Sequence, residues 1–266
     1  MSADNGNQKS WTDFGFSFDR GGVHTARTMM LDELEMLLSY VNSTEASKAD
    51  YLRAIEEDNC LSKRSVKTRR LTYRHLSQLY SLDSAHILFR GLCYFWIRDE
   101  SARPILAALC AYARDSIFRS TAPLVLEYPC GAVLSRDALE QFIDRQEPNR
   151  FSSATLKSTA QNINSSWTKS GHLSGRARKI RTHPIPSAGN VAYALLLGYL
   201  RGARGSELFG TEYMRLVDCP RAKAIELAEE ASRKGWIRLK RVGDVIEVLF
   251  PGLINEQEQE LLREQS

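Results

Sequence analysis

The segment RFSSATLKSTAQNINSSWTKSGHLSGRARKIRTH, Arg150 to His183, decides the fold. Leu156, Ala160, Ile163 and Trp167 recur at i, i+4, i+7 and i+11, the spacing that lines one apolar helix face, and Ser153 stands where an N-cap hydroxyl is expected. The opposite face holds Ser158, Gln161, Asn162, Ser165 and Lys169, flanked by Lys157 and Asn164, with no acid among them. Such side chains suit phosphates and base edges. Gly171 occupies the position of a left-handed C-terminal cap, and Ser174-Gly175 offers a tight turn between Leu173 and the run Arg176, Arg178, Lys179, Arg181. Upstream, Ser135 opens the helix pattern SRDALEQFID, and Pro148 precedes the next start signal. The order is helix, turn, recognition helix, basic wing.

Charge supports a nucleic-acid reading of this segment. From Pro148 to Ser206 there are nine Lys or Arg and no Asp or Glu, although the whole chain carries a net charge of only +4. Neutralising phosphates releases condensed counterions, so a local acid-free surface matters more than the global balance. The competing interpretation is a solvated basic face.

At 266 residues and 43% hydrophobic, the chain is long enough for two or three small units. Its longest apolar runs, VAYALLLGYL from Val191 and PILAALCAYA from Pro104, are about half the roughly 20 residues of a bilayer-spanning helix. The N-terminal MSADNGNQKSW has no apolar signal core. A cytoplasmic protein without membrane contact is expected. The five cysteines form no CxxC pair, the histidines no HExxH, and no GxxxxGK phosphate loop occurs, so neither metal nor cofactor is expected.

The expected fold is mainly α, an N-terminal helical bundle followed by two winged-helix-like units with short β-hairpins. Residues 1–14 read as a polar tail, 15–125 as the helical domain, 126–186 as the winged unit with the basic wing, 187–254 as a second winged unit, and 255–266 as an acidic tail, frayed or disordered. Residues 121–129, with Pro123 and Pro129 as breakers, read as the connector between the first two units. In the helical domain, Ser62 is the expected cap of KRSVKTRRLTYRHLSQLY, whose Lys63, Lys67, Arg70 and Arg74 form one stripe with Arg69 close by. Either phosphate or neighbouring acids oppose that stripe. Ser206 and Asp218 are expected to cap the paired helices of the second unit, whose Glu226, Glu229 and Glu230 make it a poor DNA reader and suit a structural or protein-contacting role.

The ordered series FSFDRGGVHTARTMM, YLRAIEEDNCLSKRSVKTRRLTYRHLSQL, LKSTAQNINSSWTKSGHLSGRARKIRTHP, VAYALLLGYLRGARGSELF and AEEASRKGWIRLKRVGDVIEVLF resembles the BrxA family of BREX bacteriophage-defence systems. The resemblance spans about Phe16 to Phe250. It implies a mainly helical, non-catalytic accessory protein, encoded with a methyltransferase, an ATPase and a phosphatase-like component, that binds double-stranded DNA. Members have been labelled inner-membrane proteins, at odds with the short apolar runs here. They are also likened to RNA-binding antitermination factors, which keeps RNA open as a ligand. The resemblance transfers no catalytic residue, so the expected DNA-binding residues are those derived above, Lys157 to Arg181 with Lys63, Lys67, Arg69, Arg70 and Arg74. The alternative is an adaptor whose second winged unit and acidic tail hold other BREX components. Asp244 and Glu247 lie near strands, but a nuclease is disfavoured because no lysine accompanies them in a metal-nuclease spacing.

Overall fold

The computed structural model describes residues 11–243 and 245–264. Residues 1–10 of the expected polar tail over residues 1–14, Asp244 and the last two tail residues lie outside them, whereas the rest of that tail is not free: Phe14 is buried in the core and Trp11 packs against it, because both are apolar. The architecture is mainly helical, with two small antiparallel sheets. Among the described residues no helix is long and apolar enough to cross a membrane.

The helical part runs α1 (Leu31–Val41), α2 (Lys48–Glu56), α3 (Val66–Tyr80), α4 (Ile87–Trp96), α5 (Arg103–Arg114) and α6 (Ser116–Glu127). As their apolar circumference predicts, α4 and α5 are buried, with Phe95 and Trp96 in the core. Helix α3 starts three residues later than expected. Ser65, not Ser62, is its cap, accepting from the Thr68 N–H at 3.2 Å, while Ser62 has a left-handed backbone that suits a turn. Lys63 is therefore outside the helix, and its Nζ lies 3.2 Å from Glu33.

Residues 121–127, expected as a connector, are the second half of α6. Thr121, Ala122 and Val125 are buried, whereas Pro123 lies on the solvent side, where water can serve the carbonyl that its missing N–H leaves unpaired. Strand β1 (Val133–Leu134), α7 (Arg136–Gln146), α8 (Ser153–Lys169), β2 (Leu173–Ser174) and β3 (Lys179–Arg181) follow. The sheet order is β1-β3-β2, with Val133 opposite Ile180 and Leu173 opposite Arg181.

Helix α9 (Ala188–Leu200) is buried on all sides and packs on α4, α5, α10 (Glu212–Val217) and α11 (Arg221–Arg233). Gly91 allows the approach to α4, since a Cβ there would stand 2.6 Å from Leu196. Thr211 rather than Ser206 caps α10, because residues 205–210 form a tight turn first. Asp218 ends α10 in a left-handed conformation instead of capping α11, its carboxylate being taken by Arg181 and His183. Strands β4 (Arg238–Val242) and β5 (Val245–Leu249) make the second hairpin.

The acidic tail is neither frayed nor free over residues 256–264, which form helix α12 (Glu256–Glu264). Asn255 and Glu258 exchange backbone-to-side-chain hydrogen bonds at its start, and both Glu258 carboxylate oxygens accept from Arg90 at 2.7 Å. Leu262 is buried beneath it.

Candidate nucleic-acid interface

Helices α7 and α8 are positioned by their caps and by a shared apolar seam. Ser135 accepts from the Ala138 N–H at 3.0 Å, and Ser152, one residue before the expected Ser153, accepts from the Thr155 N–H at 3.2 Å. Leu139 and Ile143 of α7 and Ala160, Ile163 and Trp167 of α8 are buried in the core. Half-buried Leu156 packs against them. The indole N–H of Trp167 donates to Thr121 at 3.1 Å, fixing α8 to α6.

This packing leaves one strip of α8 to solvent. Lys157 and Gln161 are exposed and Ser165 is half-exposed along it. A groove of about 650 Å³ runs beside the strip, walled by Ser135, Arg136 and Asp137 at the start of α7, by Gln161 and Ser165, and by Arg176 to Lys179 in the wing. Asn164 forms its floor; the residue is 5% exposed, and its buried Oδ1 has no hydrogen-bond partner.

The wing supplies the charge. Arg176 and Arg178 are exposed and, among the described residues, make no ion pair. Gly175 has φ +91°, and a Cβ there would collide with the Arg178 carbonyl oxygen, so the turn requires glycine. Lys179 donates to the Gly175 carbonyl at 2.7 Å, and desolvation lowers its pKa from the ordinary lysine value. Among the described residues Asp137 is the one carboxylate in the groove wall, and Arg136 Nη2 lies 3.6 Å from it.

Several expected contact residues are engaged elsewhere. Arg181 is 1% exposed, with its Nη2 2.7 Å from Asp218 and its Nη1 donating to the His172 and Thr182 carbonyls. It joins the wing to α10 and has no surface for phosphate. Asn162 donates to the His24 carbonyl at 3.0 Å, Lys169 pairs with Asp32 at 2.6 Å, and Ser158 donates to the Thr155 carbonyl within α8. On α3, Arg70 pairs with Glu56 at 3.4 Å, and Arg69 is half-buried with an unpartnered Nε. Lys67 and Arg74 remain exposed.

A network that the sequence did not signal covers the other flank of α8. His24 Nδ1 lies 2.9 Å from Asp115 Oδ2, and His24 Nε2 lies 2.9 Å from Ser166 Oγ. Carboxylate, imidazole and hydroxyl stand in the order of a hydrolase triad. Ser166 and His24 are fully buried and Asp115 is 2% exposed, and the Ser166 hydroxyl already donates to the Asn162 carbonyl and accepts from the Met29 N–H. No substrate reaches that oxygen. Burial alone would raise the Asp115 pKa, but the His24 imidazole and the His24 and Phe118 N–H groups hold it below the ordinary carboxylate value. The trio clamps the segment from Val23 to Met29 across α8 and onto the start of α6. Among the described residues no group of three or more His, Cys, Asp or Glu is arranged to hold a metal.

No family model and no curated protein matches the chain.

Proposed function

We propose that the chain is a non-catalytic, duplex-DNA-binding accessory protein of a BREX-type defence system. One observation carries the DNA reading: Gln161 and Ser165 of the exposed strip and the wing arginines line one groove whose wall, among the described residues, holds four cations and one carboxylate. In this reading α8 enters the major groove, Gln161 meets base edges, and Lys157, Arg176, Arg178 and Lys179 meet phosphate. Few base-reading groups are available, so affinity is largely electrostatic and sequence preference modest. The defence context rests on the family resemblance alone.

The test is fluorescence anisotropy with matched duplex DNA, single-stranded DNA and duplex RNA across salt concentration. A duplex-DNA preference with a log-log slope of about −4 supports the reading, at about 0.9 per phosphate contact. An RNA preference favours an antitermination-like role. Absence of binding at low salt rejects both and leaves the basic surface to an acidic protein, as in the adaptor alternative.

A further inference from the structure

A second groove, of about 470 Å³, lies between the second hairpin and α12 and is lined by three arginines. Arg204 comes from the loop after α9, Arg238 from β4 and Arg263 from α12. Among the described residues no carboxylate lines this groove and none of the three arginines makes an ion pair. Like charges converging without a counter-charge repel one another, and an anion between them removes that cost. The volume falls in the range of small-ligand sites.

The floor specifies more than an anion. Phe250 and Leu262 are buried there, and the Phe250 ring meets Tyr199 at a centroid distance of 5.4 Å. Arg204 is held in place by donating to the Tyr199 and Ala203 carbonyls at 2.7 and 2.9 Å, which lays its guanidinium 3.9 Å from the Tyr199 ring centroid. A guanidinium fixed on an aromatic face forms a platform on which a planar ring stacks.

We propose that this groove binds a nucleotide with a terminal phosphate, the phosphate held by Arg238 and Arg263 and the base laid on the Arg204–Tyr199 platform. A phosphate monoester carries close to two charges at neutral pH and accepts guanidinium forks in pairs, which suits this arrangement better than a singly charged diester. A free nucleotide and a 5′-phosphorylated strand end share this chemistry. The groove shares no residue with the one beside α8, so each stands or falls separately.

Isothermal titration of the full chain with AMP, adenosine, inorganic phosphate and a dinucleotide with or without a 5′-phosphate tests the site. AMP binds once per chain, about tenfold or more tighter than adenosine or inorganic phosphate. A matching gain for the 5′-phosphorylated dinucleotide extends the site to strand ends, and binding of AMP alone restricts it to free nucleotide. Arg238→Ala with Arg263→Ala alters two exposed residues, leaves the melting temperature unchanged and weakens AMP about tenfold or more. Arg178→Glu leaves AMP binding intact whatever it does to duplex binding. Absence of AMP and dinucleotide binding at millimolar concentration in low salt overturns the proposal. So does inorganic phosphate binding as tightly as AMP, or a double variant that binds AMP unchanged.

Discussion

Arg181, in the last position of the first wing's return strand, places its Nη2 2.7 Å from Asp218 Oδ2 at the end of α10. Beside it, His172 lies within 2.9 Å of the Leu216 carbonyl. These contacts tie the first hairpin to the end of α10. They divide the basic run into a buried anchor at Arg181 and an accessible tip at Arg176 and Arg178.

That division separates binding variants from stability variants. Arg178→Glu with Lys179→Glu weakens duplex DNA and flattens the log-log salt slope by about 1.8, two contacts at about 0.9 each. Arg181→Ala leaves Asp218 without its buried partner and costs about 3 kcal/mol in a denaturant titration. An Arg181→Ala protein of unchanged stability, or a reversed tip that binds normally, contradicts the assignment.

On α8 the exposed Lys157 and Gln161 should differ in kind. Lys157→Ala weakens all duplexes alike and makes the salt slope shallower by about 0.9. Gln161→Ala changes preference among duplex sequences by about 1 to 3 kcal/mol and leaves the slope alone. Binding of a randomised duplex pool, followed by sequencing of the retained fraction, distinguishes the two. Identical retained pools for wild type and Gln161→Ala remove base reading from this residue.

Acid should loosen the junction between the first hairpin and α10. Burial lowers the His172 pKa to about 4, against an ordinary 6.5, so the folded chain holds this imidazole neutral and the unfolded chain protonates it first. Stability is complete above pH 6.5 and falls as pH drops from there toward 4, by about 3 kcal/mol. Asp115 acts at lower pH: its folded pKa lies below the ordinary 3.8, so its contribution is present above 3.8 and disappears as pH falls through the folded value. Urea titrations of wild type and His172→Asn from pH 7 to 4 test the first step. If both lose stability in parallel, His172 is not its source.

Removal of Glu258 should release the C-terminal helix selectively. Glu258→Ala leaves Arg90 without its bidentate acceptor and Asn255 without its capping partner, costing about 1 to 3 kcal/mol locally. Hydrogen exchange of the amides in residues 256–264 accelerates, while that of α9 is unchanged. Uniform acceleration across the chain would instead show that α12 unfolds only with the whole.

Local patterns made much of this legible in the sequence. The apolar spacing of Leu156, Ala160, Ile163 and Trp167 located α8, Ser135 marked the start of α7, and Gly175 marked the turn of the wing. The differences lie where the choice depended on tertiary partners. Ser62 and Ser65 are equally good caps by type, and only the left-handed backbone at Ser62 separates them. Arg178 and Arg181 belong to one basic run, and their fates diverge because Asp218, distant in sequence, faces one of them. Asn162 looked like a base reader because nothing in its neighbourhood announced that the His24 segment would lie across it. Composition alone leaves the acidic tail as frayed helix or disordered chain, since the Arg90 that receives Glu258 is 168 residues away.

The clamp of His24 on Ser166 also limits how α8 can be offered to a partner. With its core face packed and its other flank walled by residues 23–29, the helix cannot roll about its own axis to improve a poor fit. On the proposed function, a duplex would meet a keyed edge, in one orientation and to one depth, and the direction in which the rest of the chain extends along it would be fixed at the moment of docking.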